Sequence, residues 1–374
     1  MKKIFLGVIC LLALSVQAQE FDTLAPKAFL IDAQTGAVLM NKEGDEPMPT
    51  ASMSKLMTAY MVFDALKRGD LKPDTEFTVS ENAWRKGGAK SGGSTMFLAP
   101  HQQVKVSDLL RGVIIQSGND ACIVIAENMA GTEEAFANLM NVKAKELGLT
   151  QTTLKNATGL PEEGHMMSPR DLALLAQHIV NDFPEYYPIY SETSFTFNHI
   201  KQGNRNPLLG AVPGADGLKT GHTEASGYGL VGSATQDGRR LIMVINGLKS
   251  MKQRTEESRR LMAWGLSSFE NATVAQAKTS LVEIPVWLGK QKTVAAGVEK
   301  SIVLTLRRGE KQFLKAKVSY DSPLKAPVMA GQKVGELVLT GPGGNVSTYP
   351  LIALQEVKRV GIFGKIKAVI GSWF

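Results

Sequence analysis

The sequence predicts an α/β (α+β) first domain with helices packed on an antiparallel sheet, then a small all-β domain and a C-terminal amphipathic helix. Three observations carry this reading. Hairpin patterns stand at both ends of the region before Asn271, apolar residues recur at helical spacing between them, and short alternating segments follow it. A chain of 374 residues also exceeds what one core of usual size needs, so two domains are expected.

Residues 1–18 read as a cleavable signal peptide. Lys2 and Lys3 precede an apolar run from Ile4 to Leu14, and Val16-Gln17-Ala18 has the small-residue pattern of a cleavage site, so the mature chain is expected to start at Gln19. The run is too short to span a bilayer. Bulky Ile9, and a run that continues past Cys10, argue against a lipid-modified cysteine.

The first domain is assigned to residues 19–271. Lys27–Asp32 and Ala37–Asn41 are strands joined by the turn Gln34-Thr35-Gly36. A helix is predicted to open near Ser52, because Leu56, Ala59, Tyr60, Val62, Phe63 and Leu66 share one face. Arg85–Ser94, rich in glycine and serine, is expected to be a flexible loop. Ser107–Val113 and Asn119–Met129 read as helices with Ser117-Gly118 between them. Gly227–Ala234, the turn Thr235–Gly238 and Arg240–Ile245 form a second hairpin, into which Lys219-Thr220-Gly221 runs, and a helix over Thr255–Leu266 packs on that sheet.

Residues 272–357 form the second domain, with strands at Ser280–Leu288, Ser301–Leu306, Phe313–Tyr320 and Lys333–Leu339. That domain contains no nucleophile constellation and reads as a spacer or a binding module. Residues 358–374 close the chain. At 100° per residue, Ile362, Phe363, Ile366, Val369, Ile370 and Trp373 form one stripe flanked by Lys365 and Lys367, with Gly361, Gly364, Gly371 and Ser372 opposite. Such a helix lies on a membrane surface or docks on protein, and it is too short in continuous apolar residues to span.

The net charge is +7, which becomes +5 once the two leader lysines are removed. This suits anionic lipid or wall polymer, whereas the absence of a basic patch with interleaved aromatics argues against nucleic acid. After cleavage Cys122 is the lone cysteine. Its place inside Ala121-Cys122-Ile123-Val124-Ile125 marks it as a buried small hydrophobe rather than a redox or nucleophilic group. The histidines have no metal-ligand spacing.

Three strings carry the chemistry: Ser52-Met53-Ser54-Lys55, Ser117-Gly118-Asn119 and Lys219-Thr220-Gly221. A hydroxyl is a poor nucleophile at neutral pH, so Ser52 needs a base, and Lys55 serves only if its surroundings lower its pKa. Three residues apart on a helix, the two heads share one face. Lys219 is expected to supply the field that keeps Lys55 neutral, while Thr220 and Gly221 let an edge strand approach the substrate and Gly221 leaves room for the acyl group. Each string alone is commonly structural. Their order, with 62 residues from Lys55 to Ser117 and 100 from Asn119 to Lys219, makes the set the signature of β-lactamases and penicillin-binding proteins.

Over nearly its whole length the sequence resembles the low-molecular-mass penicillin-binding proteins, specifically the D-alanyl-D-alanine carboxypeptidases 5 and 6 of Gram-negative bacteria. The likeness rests on Pro49–Thr58, Ser117–Cys122 and Asp216–Thr223. It implies a serine β-lactamase/transpeptidase-like fold and removal of the terminal D-alanine from peptidoglycan pentapeptides, with β-lactams as inhibitors and no cofactor or metal. It further implies a periplasmic protein held on the inner membrane lipids by its C-terminal helix, and it fixes no oligomeric state. Carried over, Ser52 is the acylated nucleophile, Lys55 its base, and Ser117 a proton relay to the leaving amine. Asn119 holds the substrate amide and the Lys55 head, Lys219 shapes the field, and Thr220 with Arg254 takes the terminal carboxylate. The N–H groups of Ser52 and His222 form the oxyanion hole.

Two other readings remain to be separated. A class A β-lactamase needs a glutamate that activates water, and Glu162 or Glu163 lies in the corresponding loop, but no asparagine stands four residues beyond either. A non-catalytic wall-binding protein would use the β domain and tail alone.

Overall fold

The computed structural model describes residues 21–361, so the signal-peptide reading and the tail stripe from Ile362 to Trp373 lie outside the described residues. A five-stranded antiparallel sheet organises the first part of the chain, ordered Val38–Lys42, Lys27–Asp32, Arg239–Leu248, Gly227–Gln236 and Ala215–Thr223. The two hairpins read from sequence thus zip together, with Lys27–Asp32 paired to Leu241–Asn246. Ala37 is left out of its strand because its carbonyl closes the turn onto the Asp32 N–H. Asp237 and Gly238, at φ 52° and 74°, make a two-residue turn whose twist matches that of the strands.

Alternation along the strands buries the sheet on both faces. Phe29, Ile31, Ile242 and Val244 face the helix Pro169–Asp182 and join a core that also takes in the helices Lys55–Arg68 and Asn119–Ala130. Ala28, Leu30, Leu241, Met243 and Ile245 face Leu261, Met262 and Leu266 of the helix Met251–Ser268 on the other side. That helix starts four residues earlier than predicted, because the Ser250 hydroxyl caps it by accepting from the Gln253 N–H. On this face Gly265 permits close contact: a Cβ there would stand 2.7 Å from Leu30 Cδ2 and 2.8 Å from Leu241 Cδ1.

Three local expectations are corrected. Ser52 does not open the α-helix; it lies in a 3₁₀ turn, Ala51–Ser54, and Lys55 is the first α-helical residue. The expected loop Arg85–Ser94 begins inside a helix, Glu81–Gly87, nucleated by the Ser80 hydroxyl accepting from Ala83 N–H at 2.9 Å. Gly87 ends that helix against the Asn119 and Asp120 backbone, where no Cβ fits. The predicted helix Ser107–Val113 splits into Val106–Arg111 and a wider turn, Gly112–Gln116, which ends on Ser117 in the left-handed region.

Beyond the helix Met251–Ser268 the chain passes directly into the strand Phe269–Ala275, which pairs with Ile302–Arg307. The expected boundary at 271/272 therefore falls inside a strand, whose pairing extends back to the Ser268 carbonyl through the Arg308 N–H. A six-stranded sheet follows, ordered Lys315–Tyr320, Lys333–Thr340, Val346–Ala353, Thr293–Gly297, Val282–Trp287 and Leu324–Lys325. Thr293–Gly297 escaped the sequence reading because it is rich in alanine and glycine, and Val346–Ala353 because Pro350 demotes a strand.

Candidate active site

Three segments converge at one end of the sheet: the turn carrying Ser52 with Lys55 behind it, the link at Ser117, and the edge strand Ala215–Thr223. Lys55 is 1% exposed, and its Nζ donates to Ser52 Oγ at 2.8 Å, Asn119 Oδ1 at 2.7 Å and the Thr158 carbonyl at 2.5 Å. Lys219, also buried, donates from Nζ to Ser117 Oγ at 3.0 Å and to the Thr220 carbonyl at 3.2 Å. The structure therefore brings Ser52, Lys55 and Asn119 together, and pairs Ser117 with Lys219. Ser52 precedes the helix Lys55–Arg68, at the positive end of its dipole.

Burial sets the charge on both amines. Lys55 is pushed down to about 8, mainly by desolvation and further by the Arg205 guanidinium, while Cys122, Asp120 and Glu133 act against the shift. Lys219 lies well below the ordinary lysine range because burial acts together with the charges of Lys55 and Arg205. Lys219 is shifted down first by burial and then by the Lys55 charge, a repulsion that acts on both amines, and the Arg205 guanidinium adds to the downward shift of each.

The edge strand meets the nucleophile turn closely. A Cβ at Gly221 would lie 2.8 Å from the Thr50 carbonyl oxygen and 3.2 Å from Ala51 Cβ, so the glycine is required for this packing rather than to clear space for an acyl group. His222 stacks its ring on Tyr228 at 3.8 Å, which leaves its backbone as the part presented along the strand. The Arg254 guanidinium lies over the same Tyr228 ring at 5.7 Å. Arg254 is 4% exposed, and its Nε has no hydrogen-bond partner among the described residues. A buried guanidinium group with an unused donor suits an incoming carboxylate.

Backbone strain marks both site serines. Ser117 is held at φ 61°, and Ala51, directly before Ser52, at φ 46°, both in the left-handed region that non-glycine residues rarely adopt. Ser117 is fixed by the two residues that follow it: Gly118 N–H donates to the Gly112 carbonyl at 2.9 Å, and Asn119 N–H to the Ser94 carbonyl at 2.8 Å. The buried Asp120 carboxylate accepts from Thr95 Oγ1 at 2.6 Å and from the N–H groups of Met96, Leu98 and Ala121, clamping residues 95–98 onto this link.

Sequence reasoning missed Arg205, which donates to Ser94 Oγ at 2.6 Å and to the Gln116 carbonyl at 3.3 Å. No spacing within Asn204-Arg205-Asn206 announces it. The Thr158 carbonyl was equally invisible, since a main-chain acceptor has no residue-type signature. Asp120 could have been found, because it directly follows Asn119 in the second string. A serine with a depressed lysine base, a second serine–lysine pair and a buried arginine together form equipment for nucleophilic acyl transfer.

Comparison with known proteins follows the same division of the chain. Residues 14–250 match the family model described as D-alanyl-D-alanine carboxypeptidase, and residues 269–359 match the penicillin-binding protein 5 C-terminal domain. The chain is 41% identical over 371 residues to the D-alanyl-D-alanine carboxypeptidase DacC of Escherichia coli K12, covering 96% of this chain and 92% of that protein. It is 40% identical to DacA of the same organism, covering 94% and 89%. Among solved structures, penicillin-binding protein 5 of Haemophilus influenzae superposes with a TM-score of 0.81 at 37% identity, covering 91% of this chain and 99% of that one. Penicillin-binding protein 6B of Escherichia coli gives 0.77 at 35% identity, covering 91% and 98%.

Only the neutral Lys55 amine accepts a proton, so acylation at Ser52 is expected to rise with pH and level off above a midpoint of about 8. Arg205→Gln removes a positive charge that disfavours the ammonium form, so the midpoint should move upward and the rate at pH 7 should fall. A midpoint unchanged or lowered in the variant, measured from the pH dependence of acylation, contradicts the role given to Arg205.

Proposed function

The chain belongs to the D-alanyl-D-alanine carboxypeptidase family, and on that footing we propose which of its residues perform each step. It is a serine-type carboxypeptidase that removes the terminal D-alanine of peptidoglycan pentapeptides through an acyl-enzyme and is acylated by β-lactams. The single observation that supports the assignment of steps is the 2.8 Å contact between Ser52 Oγ and a lysine whose pKa burial has brought to about 8.

Ser52 Oγ attacks the carbonyl between the two D-alanines while its proton passes to Lys55 Nζ. The oxyanion rests on the N–H groups of Ser52 and His222, and Asn119 holds the substrate amide. Collapse breaks the C–N bond: the departing amine takes the Ser117 Oγ proton, and the proton that Lys55 took from Ser52 restores it, so Lys55 is neutral again for the next step while Lys219 stays in contact with Ser117. Water then attacks the Ser52 ester, and the proton it loses returns through Lys55. Thr220 and Arg254 receive the free carboxylate, consistent with the unused Arg254 Nε. With the carboxylate at Thr220 and the scissile bond at His222, the rest of the peptide continues past Thr223 and Ala225. These two residues border a cavity of about 330 Å³ with Leu160 and Pro161.

The β-lactamase alternative has little support in the geometry. Glu162 accepts from Asn156 Nδ2 at 2.8 Å, and the Ser52–Lys55 pair is completed by Asn119 and Thr158 rather than by a glutamate.

The protein is periplasmic and sits on the inner membrane through residues 361–374; the expected start at 358 is corrected, because Lys290 N–H donates to the Lys358 carbonyl and Val360 N–H to the Leu288 carbonyl, which ties residues 358–360 to the β domain. The amphipathic stripe and its flanking lysines support this, since burial of the apolar side offsets the low helix propensity of the glycines and the lysines reach anionic head groups.

Ser52→Ala should lower D-alanine release by roughly 10³-fold or more and abolish labelling by benzylpenicillin; mass spectrometry that locates the adduct on another serine refutes the assignment. Deleting residues 360–374 should move the mature protein into the soluble periplasmic fraction with hydrolysis of a small peptide intact. A truncated protein that still sediments with inner membranes removes the tail as the anchor.

A further inference from the structure

His165 belongs to none of the steps above, yet it is 4% exposed and touches the nucleophile turn. Its Nε2 lies 3.0 Å from Ser54 Oγ, and Ser54 Oγ lies 3.1 Å from the Ala51 carbonyl. On the other side of the ring, Lys155 N–H donates to Nδ1 at 3.1 Å. A backbone N–H can only donate, so Nδ1 is the acceptor and the imidazole hydrogen sits on Nε2. The direction then propagates. Nε2–H donates to Ser54 Oγ, whose own hydrogen goes to the Ala51 carbonyl, and the chain ends on the strained residue that precedes Ser52.

The loop between Lys155 and His165 meets the turn at two further points. The Thr158 carbonyl accepts from Lys55 Nζ at 2.5 Å, and Gly159, at φ 74°, packs its backbone on the Ala51 carbonyl, where a Cβ would stand 2.6 Å from Ser54 Oγ. Within the loop, Asn156 Oδ1 accepts from the N–H groups of Thr158 at 3.1 Å and Gly159 at 2.8 Å, and His165 N–H donates to the Glu162 carbonyl at 3.0 Å. His165 is where this loop both closes on itself and fastens to the turn.

We propose that His165 is a positioning residue for acylation: one ring nitrogen closes the loop 155–165, the other holds the Ser54–Ala51 turn, and together they fix Ser52 against Lys55. This rests on the carboxypeptidase reading and on the Ser52–Lys55 pair within it. Burial keeps the ring neutral, with its pKa down at about 4; Glu162 opposes that shift and Lys55 adds to it. The directed chain of hydrogen bonds therefore persists throughout the neutral range. A histidine that merely filled the core would need neither bond.

The test uses His165→Asn, which can retain an acceptor for Lys155 N–H but cannot reach Ser54, together with Ser54→Ala and the double variant in the mature protein. D-alanine release from a D-Ala-D-Ala peptide and the single-turnover acylation rate by benzylpenicillin are measured per mole of folded protein. Each single variant should lower kcat and the acylation rate by about tenfold or more with KM within about twofold, because the reacting pair is misaligned while substrate contacts remain. The double variant should be no slower than the worse single one, since both changes break one chain. Singles that keep kcat within about twofold of the parent, or a double variant whose losses multiply, overturn the proposal. If His165→Asn does not fold, Ser54→Ala, which removes one hydroxyl, decides alone. A parent protein that releases no D-alanine would instead overturn the underlying carboxypeptidase reading.

Discussion

The contact from Lys55 Nζ to Ser52 Oγ requires an amine to be withdrawn almost wholly from water, and the surrounding structure is arranged to make that withdrawal tolerable. An isolated buried ammonium is expensive, so its donors are met by Ser52, Asn119 and Thr158, and its charge is weakened by desolvation. Each partner arrives from a different place: a 3₁₀ turn, the start of the helix Asn119–Ala130, and the loop below. Those elements hold their places because the sheet behind them is buried on both faces. The same desolvation acts on Lys219, and the Lys55 charge lowers it further, so both amines are displaced downward from the ordinary lysine range.

Positions of unusual backbone surround this pair in a consistent way. Ala51 and Ser117 hold left-handed conformations that alanine and serine avoid, the first directly before Ser52 and the second at the relay serine itself. Both are over-determined by neighbours. Gly159 and Ser54 confine the first, and Gly112, Ser94 and the Asp120 carboxylate confine the second. Strain kept at reactive residues and stabilised by rigid surroundings is a mark of pre-organisation. It also explains why glycine is needed at 159 and 221, where neighbouring backbones approach within contact of a missing Cβ.

Much of this was legible before any coordinates. Lys27–Asp32 matched its strand to the residue, because a short continuous apolar run beside a glycine-bearing turn has few other outcomes, and the serine–lysine strings announced the reactive groups because their chemistry depends on residue type. What stayed hidden acts through the main chain or through tertiary proximity. The Thr158 carbonyl, Arg205 and His165 sit in segments with no periodicity, and the tasks of Gly221 and Arg205 became visible only when another segment was packed against them. The loop expected over Arg85–Ser94 failed for a related reason: its glycines were weighed, but the Ser80 cap that nucleates a helix ahead of them was not.

The central claim is that Lys55 titrates near neutrality because the fold removes it from water. The most direct measurement is an NMR titration of ¹³Cε-labelled lysine in the Ser52→Ala protein, with the Lys55 signal assigned by its loss in a Lys55→Arg variant. The account predicts a midpoint of about 8. A midpoint at the free-lysine value of about 10.4 would contradict it, leaving Ser52 without a base of the required strength.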